Sequence, residues 1–203
     1  MSNYQNILLV YPVVPGNTFW SYSYALNFIN KKSAMPPLGL VTIAALFPES
    51  YQLKLVDLNI EPLTDEAISW ADAVFVSAMI VQKESMEDIV RRCRDFNKTI
   101  VAGGPYVTNN YEQIEGVDHL LRGEVDETLC DFLNDLENGT AGQLYNMPAH
   151  PDITRLPTPR FDLLEMPAYG SMMVQYSRGC PFHCEFCDIW TVYGNKPRLK
   201  AAD

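Results

Sequence analysis

The chain has 203 residues, of which 47% are hydrophobic and 20% charged, a composition typical of a soluble globular protein with one or two domains. Its formal net charge of −10 argues against nucleic acid as a partner, because binding to phosphates requires basic patches. No apolar run has the length of a transmembrane segment, and no basic region precedes the apolar run at 7–10 as it would in a signal peptide.

The first two thirds of the sequence alternate between strand and helix patterns. Short apolar runs predict strands at 7–11, 52–57, 73–78, 99–102 and 118–121. Helices are predicted between them at 36–47, 64–70, 85–96 and 127–137, the last capped by Asp126 and ended by Gly139. Cys93 and Cys130 fall on or beside the apolar faces of two of these helices, so both are expected in the core.

This alternation predicts an α/β fold over residues 1–138, with a flavodoxin-like (Rossmann-type) five-stranded parallel sheet in the order 2-1-3-4-5. Ligands of such sheets bind outside the carboxyl ends of the strands, near the switch point between strands one and three. We expect that edge to gather Ser77, Gly103, Gly104, Gly123 and Glu124. The irregular, aromatic stretch at 12–35 would lie there too, either as a ligand lid or as a flap packed on a neighbouring domain.

Residues 139–170 differ in character, because prolines recur there among polar residues and predict an extended linker. Pro148 belongs to this linker, and His150 is expected to be solvated within it. A strand predicted at 171–176 then leads into a cysteine-rich loop, so that residues 171–203 begin a further domain.

The cysteine-rich loop places Cys180, Cys184 and Cys187 in a C-x3-C-x2-C spacing. Thiolates are soft ligands suited to iron–sulfur clusters or to zinc. A structural zinc site with His183 as the fourth ligand is the alternative, although adjacent His183 and Cys184 do not readily share one tetrahedral metal. The odd number of cysteines in the loop disfavours disulfides. Thiol ligation of a metal fits a reducing interior, so a cytoplasmic location is expected.

The loop, with Arg178 and Gly179 ahead of it and Phe186 inside it, resembles that of the radical S-adenosylmethionine enzymes. The resemblance implies a [4Fe–4S] cluster held by the three cysteines, with one open iron that binds S-adenosylmethionine. Reductive cleavage of that ligand would give a 5′-deoxyadenosyl radical, which requires an electron donor such as ferredoxin or flavodoxin. Phe186 would shield the cluster from solvent.

An α/β domain followed by a proline-rich linker and this loop resembles the cobalamin-binding subclass of these enzymes. The segments 17–22, 32–39 and 101–105 are similar to the branch near the hopanoid methylases. The resemblance implies that Ser77, Gly103 and Gly104 line a groove for the nucleotide tail of cobalamin. The Asp-x-His-x-x-Gly motif of many cobalamin proteins is missing, so the cobalt is expected to have no histidine ligand from this chain.

These resemblances imply methyl transfer from cobalamin to an unactivated carbon of a lipid-like or isoprenoid substrate. A cobalamin-assisted rearrangement or cyclisation and a non-catalytic corrinoid-binding module are the alternatives, and the α/β domain could also keep its fold without the ligand. The barrel of the superfamily needs many more strands and helices than follow the cysteine loop. We therefore expect the chain to be an amino-terminal part of a longer enzyme, without turnover on its own.

Overall fold

Six parallel strands form the centre of the protein in a computed structural model that describes residues 4–146 and 150–200. They are β1 (Asn6–Tyr11), β2 (Gln52–Asp57), β3 (Ala73–Ser77), β4 (Thr99–Gly103), β5 (His119–Arg122) and β6 (Leu144–Asn146), in the order β2-β1-β3-β4-β5-β6. The predicted flavodoxin-like order is confirmed, and a sixth strand extends the sheet into the region predicted as linker. Pro148 of that linker lies outside the described residues, as do 1–3 and 201–203.

The sheet is buried on both faces, which explains why its strands are continuous apolar runs. Ile7 and Leu9 point to one side and Leu8 and Val10 to the other, and all four are fully buried. Two separate apolar clusters result, one on each face of the sheet. This is the arrangement of a doubly wound α/β domain.

Five helices cover these two faces. The described helices are α1 (Ser23–Phe28), α2 (Leu38–Ala44), α3 (Asp65–Trp70), α4 (Lys83–Asp95), α5 (Pro105–Asn110), α6 (Leu129–Asn138) and α7 (Ile189–Tyr193), and α1 and α7 contribute to neither apolar cluster. Helices α2 and α6 pack on the face of Ile7, whereas α3, α4 and α5 pack on the face of Leu8. As predicted, Gly139 ends α6 in the left-handed conformation.

Two predictions about α6 and its cysteine were wrong. The helix begins at Leu129 after Thr128, and the carboxylate of Asp126 accepts hydrogen bonds from Arg178 instead of capping the helix. Cys130 is exposed, because the buried stripe of α6 passes through Leu129 and Phe132 and leaves it on the outer side. Cys93 lies in the core as predicted.

Residues 150–170 are attached to the α/β domain rather than free of it. Three short 3-10 turns, Ile153–Arg155, Phe161–Leu163 and Met166–Ala168, shape this segment. The amide of Gly170 donates to the carbonyl of Ser33 at 2.8 Å, and the buried hydroxyl of Tyr169 donates to Asp57 at 3.0 Å. The prediction of an extended linker therefore misses a docked segment.

The C-terminal segment, residues 171–200, has little regular structure. The strand predicted at 171–176 is absent, and only β7 (Ser177–Arg178) and β8 (Arg198–Leu199) pair, in antiparallel fashion. A strand requires a partner along its length, and here the pairing extends over two residues only. Apolar side chains such as Val174 and Tyr176 are consequently exposed. No helix in the described parts of the chain has the length and apolar character to cross a membrane.

The aromatic stretch at 12–35 forms a 3-10 turn (Phe19–Ser21) and α1. Its large side chains Phe19, Tyr24 and Phe28 are 77–91% exposed, whereas Leu26 is buried. Within residues 4–146 and 150–200 these aromatic rings neither cover the edge of the sheet nor pack beneath another domain.

Candidate functional site

A cavity of about 320 Å³ lies at the carboxyl edge of the sheet. Tyr11 ends β1, Ser77 ends β3 and Gly103 ends β4, and all three line it. Gly104, Gly123 and Glu124 also line it, so the structure brings together all five residues that the sequence places at this edge. The position is the switch point of the sheet, where ligands of open α/β folds bind.

The wall of the cavity is mostly apolar, as is usual for sites that bind small molecules. Residues 36–40, before and within the start of α2, form one side together with Thr42 and Ile43, and residues 103–105 with Thr108 form another. Five side chains of the C-terminal segment complete the lining: Met173, Gln175, Arg178, Val192 and Tyr193. The segment that carries the cysteine loop is thus part of the wall.

The two glycines after β4 have different roles. Gly104 has a φ of +91°, and a Cβ there would lie 2.5 Å from Ser77 Oγ and 3.1 Å from the amide nitrogen of Ala78. Only glycine allows this conformation and this close approach of β3 and β4. A Cβ on Gly103 would instead make ordinary contacts with Leu121 at 3.4 and 3.7 Å. The backbone at Gly103 therefore tolerates a small side chain beside Leu121, whereas Gly104 is required for the shape of the cavity wall.

Glu124 is the centre of a group of charged residues that we call the charge cluster: Glu124, Asp126, His150, Arg178 and Arg198. One carboxylate oxygen of Glu124 accepts from Arg178 at 2.8 Å, and the other accepts from Arg198 at 2.5 Å and lies 2.7 Å from His150 Nδ1. The side chain of Glu124 is 2% exposed and that of Arg178 is 8% exposed. Sequence analysis predicted Glu124 at this edge and did not predict its partners.

His150 was predicted to be solvated and instead contacts Glu124. Its side chain is about half exposed, which leaves one side of the imidazole in water. The tertiary contact is set by residues distant in sequence, so no local pattern could reveal it. Arg178, two residues before the first cysteine of the loop, is buried and paired as buried charges usually are, but its burial is visible only in the structure.

A second polar group lies beside the cavity and was not predicted. Asp57 is buried at the end of β2, and its carboxylate accepts from Asn59 and from Tyr169. Burial raises the pKa of Asp57 above its ordinary value, and it also raises the pKa of the neighbouring Tyr11 to about 12. The buried Gln82 donates to the carbonyl of Pro12 at 2.6 Å and thereby fixes the chain after β1.

The cysteine loop, residues 180–187, is exposed over residues 181–186. The thiols of Cys180, Cys184 and Cys187 are free, and Cys184 is the most exposed of the three. In residues 4–146 and 150–200 no group of three His, Cys, Asp or Glu side chains is arranged to hold a metal ion, so the thiols do not converge here. Three free thiols within eight residues are nevertheless a suitable donor set for an iron–sulfur cluster.

Two residues of the cysteine loop contact α7 or the residue that follows it, whereas Phe186 is exposed. The amide of Cys180 donates to the carbonyl of Gly194 at 3.1 Å, which ties the first cysteine to the end of α7. The imidazole of His183 lies against the indole of Trp190, with ring centroids 5.0 Å apart. Phe186, predicted to shield a cluster, is 92% exposed.

Comparison with known proteins identifies the α/β domain. Residues 25–133 match the model of the B12 binding domain, and this match covers more than half of the chain. The chain belongs to the B12-binding domain family. The matched residues include the ends of β3 and β4 and the residues that follow β5, which form most of the strand side of the cavity.

Curated relatives extend the similarity beyond this domain. The chain is 43% identical over 95% of its length to an uncharacterized methyltransferase of Synechocystis, of which it covers 36%. It is 35% identical over 98% of its length to the hopanoid C-2 methylase of Rhodopseudomonas palustris, of which it covers 38%. It is also 28% identical over 80% of its length to an uncharacterized methyltransferase of Pyrococcus horikoshii, of which it covers 42%. The chain therefore spans less than half the length of these relatives.

Among solved structures, the N-terminal domain of a hypothetical protein from Thermotoga maritima is similar at 25% identity. The similarity covers 43% of this chain and 74% of that one, with a TM-score of 0.36. The strand order and the family match establish the fold of this chain.

Proposed function

We propose that this chain is the cobalamin-binding and cluster-binding part of a cobalamin-dependent radical S-adenosylmethionine methyltransferase. One observation carries the proposal: the cavity of a B12-binding domain is lined in part by the segment that bears three free thiols within eight residues. The names of the relatives, all methyltransferases, support the same reaction class. The alternatives are a cobalamin-assisted rearrangement or cyclisation and a non-catalytic corrinoid-binding module.

The cavity suits the nucleotide tail of cobalamin rather than the whole molecule. Its volume of about 320 Å³ is near the lower limit for sites that hold drug-sized ligands. The bare backbone of Gly103 and the hydroxyl of Ser77, which both line the cavity, would contact the tail, and the conformation of Gly104 maintains the shape of this wall. Gly123 continues the wall at the end of β5. No histidine lies between β1 and β2, so that stretch offers the cobalt no histidine ligand.

The cysteine loop would hold a [4Fe–4S] cluster through Cys180, Cys184 and Cys187. Residues 181–186 are exposed, so gathering the three thiols breaks few packing contacts. Phe186, which also lies in this exposed stretch, would then be free to cover the cluster. When bound, the cluster with S-adenosylmethionine supplies a carbon radical and cobalamin supplies a methyl group. An electron donor such as ferredoxin or flavodoxin would reduce the cluster.

Anaerobic reconstitution with iron and sulfide tests the cluster. Replacing Cys180, Cys184 or Cys187 by Ala should remove the bound iron and its visible absorbance, because each thiolate is one ligand. Cys130→Ala is the matched control, since Cys130 is also exposed and also free, and Cys93→Ala is the buried control. Equal iron in all five variants would contradict the assignment. Stoichiometric zinc in place of iron would instead support the structural zinc site.

Methyl-labelled S-adenosylmethionine tests the reaction. The complete gene product that contains this sequence is incubated with cobalamin, a reductant and candidate lipids of the polycyclic isoprenoid class, the class suggested by the hopanoid C-2 methylase. Label in a carbon–methyl bond of the lipid supports methyl transfer. A changed carbon skeleton without label supports rearrangement or cyclisation, and bound cobalamin with no product supports a corrinoid-binding module.

A further inference from the structure

The charge cluster connects parts of the chain that are far apart in sequence. Glu124 and Asp126 follow β5 in the α/β domain, and Arg178 and Arg198 lie on β7 and β8 in the C-terminal segment. His150 comes from the segment between them. Glu124 therefore contacts both strands of the hairpin that encloses the cysteine loop.

The contact reaches close to the first cysteine. Arg178 is two residues before Cys180, and Arg198 pairs with Arg178 across the hairpin. The guanidinium of Arg178 donates to Glu124 at 2.8 Å and to both carboxylate oxygens of Asp126 at 2.5 and 3.2 Å. Paired contacts of this kind fix the orientation of a planar guanidinium as well as its position. The base of the cysteine loop is thereby oriented against the edge of the sheet.

The chemistry of the cluster indicates positioning rather than general stabilisation. The α/β domain already contains two large apolar clusters, whereas the C-terminal segment buries little apolar surface and leaves Val174 and Tyr176 exposed. A buried ion pair adds little net stability compared with apolar packing, and it strongly penalises geometries that leave a charge without its partner. Such contacts suit a segment that must be held in one place without a core of its own.

We propose that Glu124 is a positioning residue that fixes the cysteine loop beside the mouth of the cavity. A group held by the loop and a ligand held in the cavity would then lie at a set separation. The identity of those two groups rests on the proposed function, whereas the positioning is a property of this chain alone. Glu124 acts through Arg178 and Arg198 and need not touch either group.

Hydrogen exchange of the 203-residue chain without any ligand tests this role. Glu124→Gln keeps the shape of the side chain and removes its charge, so Arg198 loses its carboxylate partner and Arg178 keeps only Asp126. The amides of Cys180 and Lys200, which donate to Gly194 and Tyr176, should then exchange about tenfold faster or more. The amides of β4 should exchange at the wild-type rate, because the apolar clusters are intact.

Two further variants complete the test. Asp88→Asn removes the carboxylate of an exposed pair with Arg91, at 2.8 Å, and should change neither set of amides. Arg198→Met removes one partner of Glu124 and leaves Arg178 in place, so the exchange at Cys180 should be intermediate. This variant also decides the matter if Glu124→Gln does not fold.

Two results would overturn the proposal. Unchanged exchange at Cys180 and Lys200 in both cluster variants would show that Glu124 does not hold the loop. Equal acceleration in the loop and in β4 would show a general structural role. A parallel titration with hydroxocobalamin separates this question from the proposed function: absence of binding to the wild-type chain contradicts the cobalamin site, and the exchange comparison still decides the role of Glu124.

Discussion

The α/β domain and the C-terminal segment are held together by different physical means. In the α/β domain, apolar side chains on both faces of the sheet are fully buried, and the helices that cover them follow from the sequence pattern. In residues 171–200 most large apolar side chains are exposed, and the principal buried side chain that joins the segment to the domain is the charged Arg178. Regular packing thus forms the cavity, and directional ion pairs hold the base of the cysteine loop next to it.

This difference predicts which region tolerates change. The cavity requires a rigid edge, which the sheet supplies through its core. The proposed cluster would require the cysteine loop to gather three thiols, and its exposed residues leave room for this while Arg178 holds its base. The following predictions test this division.

Truncation of a phenylalanine in each region should have the most unequal effects. Phe132 on α6 is fully buried against Phe75 and Tyr145, so Phe132→Ala should lower the free energy of unfolding by about 3–5 kcal/mol. Phe186→Ala removes a ring that is 92% exposed and should change the free energy of unfolding by less than about 0.5 kcal/mol. Chemical denaturation followed by circular dichroism measures both, and similar losses would contradict the proposed division.

The glycine pair gives the next largest effect. Gly104→Ala should cost about 1–3 kcal/mol, because its φ is +91° and the new Cβ would collide with Ser77 Oγ. Gly103→Ala should leave stability nearly unchanged, since its Cβ would make only ordinary contacts. The two variants are compared by the denaturant midpoint. A larger loss for Gly103→Ala would contradict the roles assigned to the pair.

Removal of the hydroxyl of Tyr169 should lower the free energy of unfolding by about 1–2 kcal/mol near neutral pH and by less in acid. Burial raises the pKa of Asp57 above its ordinary value of 3.8, so the folded state holds this proton more tightly than the unfolded state and stability falls as pH rises through that interval. The hydrogen bond from Tyr169 favours the ionised carboxylate. Tyr169→Phe should therefore raise the pKa of Asp57 further, so that the loss of stability with rising pH extends to higher pH.

Thermal unfolding across pH 4–7 measures this effect. Tyr145→Phe is the control, because the hydroxyl of Tyr145 also donates to a carboxylate, that of Asp135 at 2.6 Å, and not to Asp57. Tyr145→Phe should lose less stability between pH 4 and pH 7 than Tyr169→Phe does. A pH-independent cost for Tyr169→Phe would contradict the role given to Asp57.

The prediction with the smallest expected effect concerns the rates at which the buried and the exposed cysteines are alkylated. Burial raises the pKa of the Cys93 thiol to about 11, and the thiolate is the reactive form, so Cys93 should resist iodoacetamide at pH 8. Cys130 and Cys184 are exposed and should react first. Mass spectrometry before and after denaturation measures the labelled sites. Labelling of Cys93 at the rate of Cys130 would contradict its place in the core.

The elements that sequence could predict are those set by local periodicity. The first five strands, their order and the gathering of Ser77, Gly103 and Glu124 at one edge follow from apolar runs and from the general topology of parallel sheets. The sixth strand is only three residues long, so it has no apolar run from which a strand could be predicted. Residues 171–176 have the pattern of a strand but do not pair as a strand with another described segment. Strand pairing depends on two segments, so the pattern of one segment does not determine it.

Contacts between distant charged residues were beyond sequence analysis for the same reason. Asp126 directly precedes the helix start predicted at 127, yet α6 begins only at Leu129, and Arg178 provides Asp126 with a partner that a local pattern cannot reveal. Cys130 lies one position from the buried stripe, and a helix turns by about 100° per residue, which was enough to expose it. Sequence therefore predicted the scaffold and the cavity better than the contacts of the C-terminal segment.

Titration with hydroxocobalamin tests the central claim, that the edge of this sheet binds a corrinoid, most directly. The wild-type chain at micromolar concentration should shift the corrin absorbance and saturate at one equivalent. Gly103→Val, whose side chain would occupy the cavity wall beside Leu121, should weaken binding by about tenfold or more, whereas Gly16→Val, placed where no atom lies within 4 Å, should bind like the wild type. An unchanged spectrum for the wild type, or equal binding by both variants, would contradict the site.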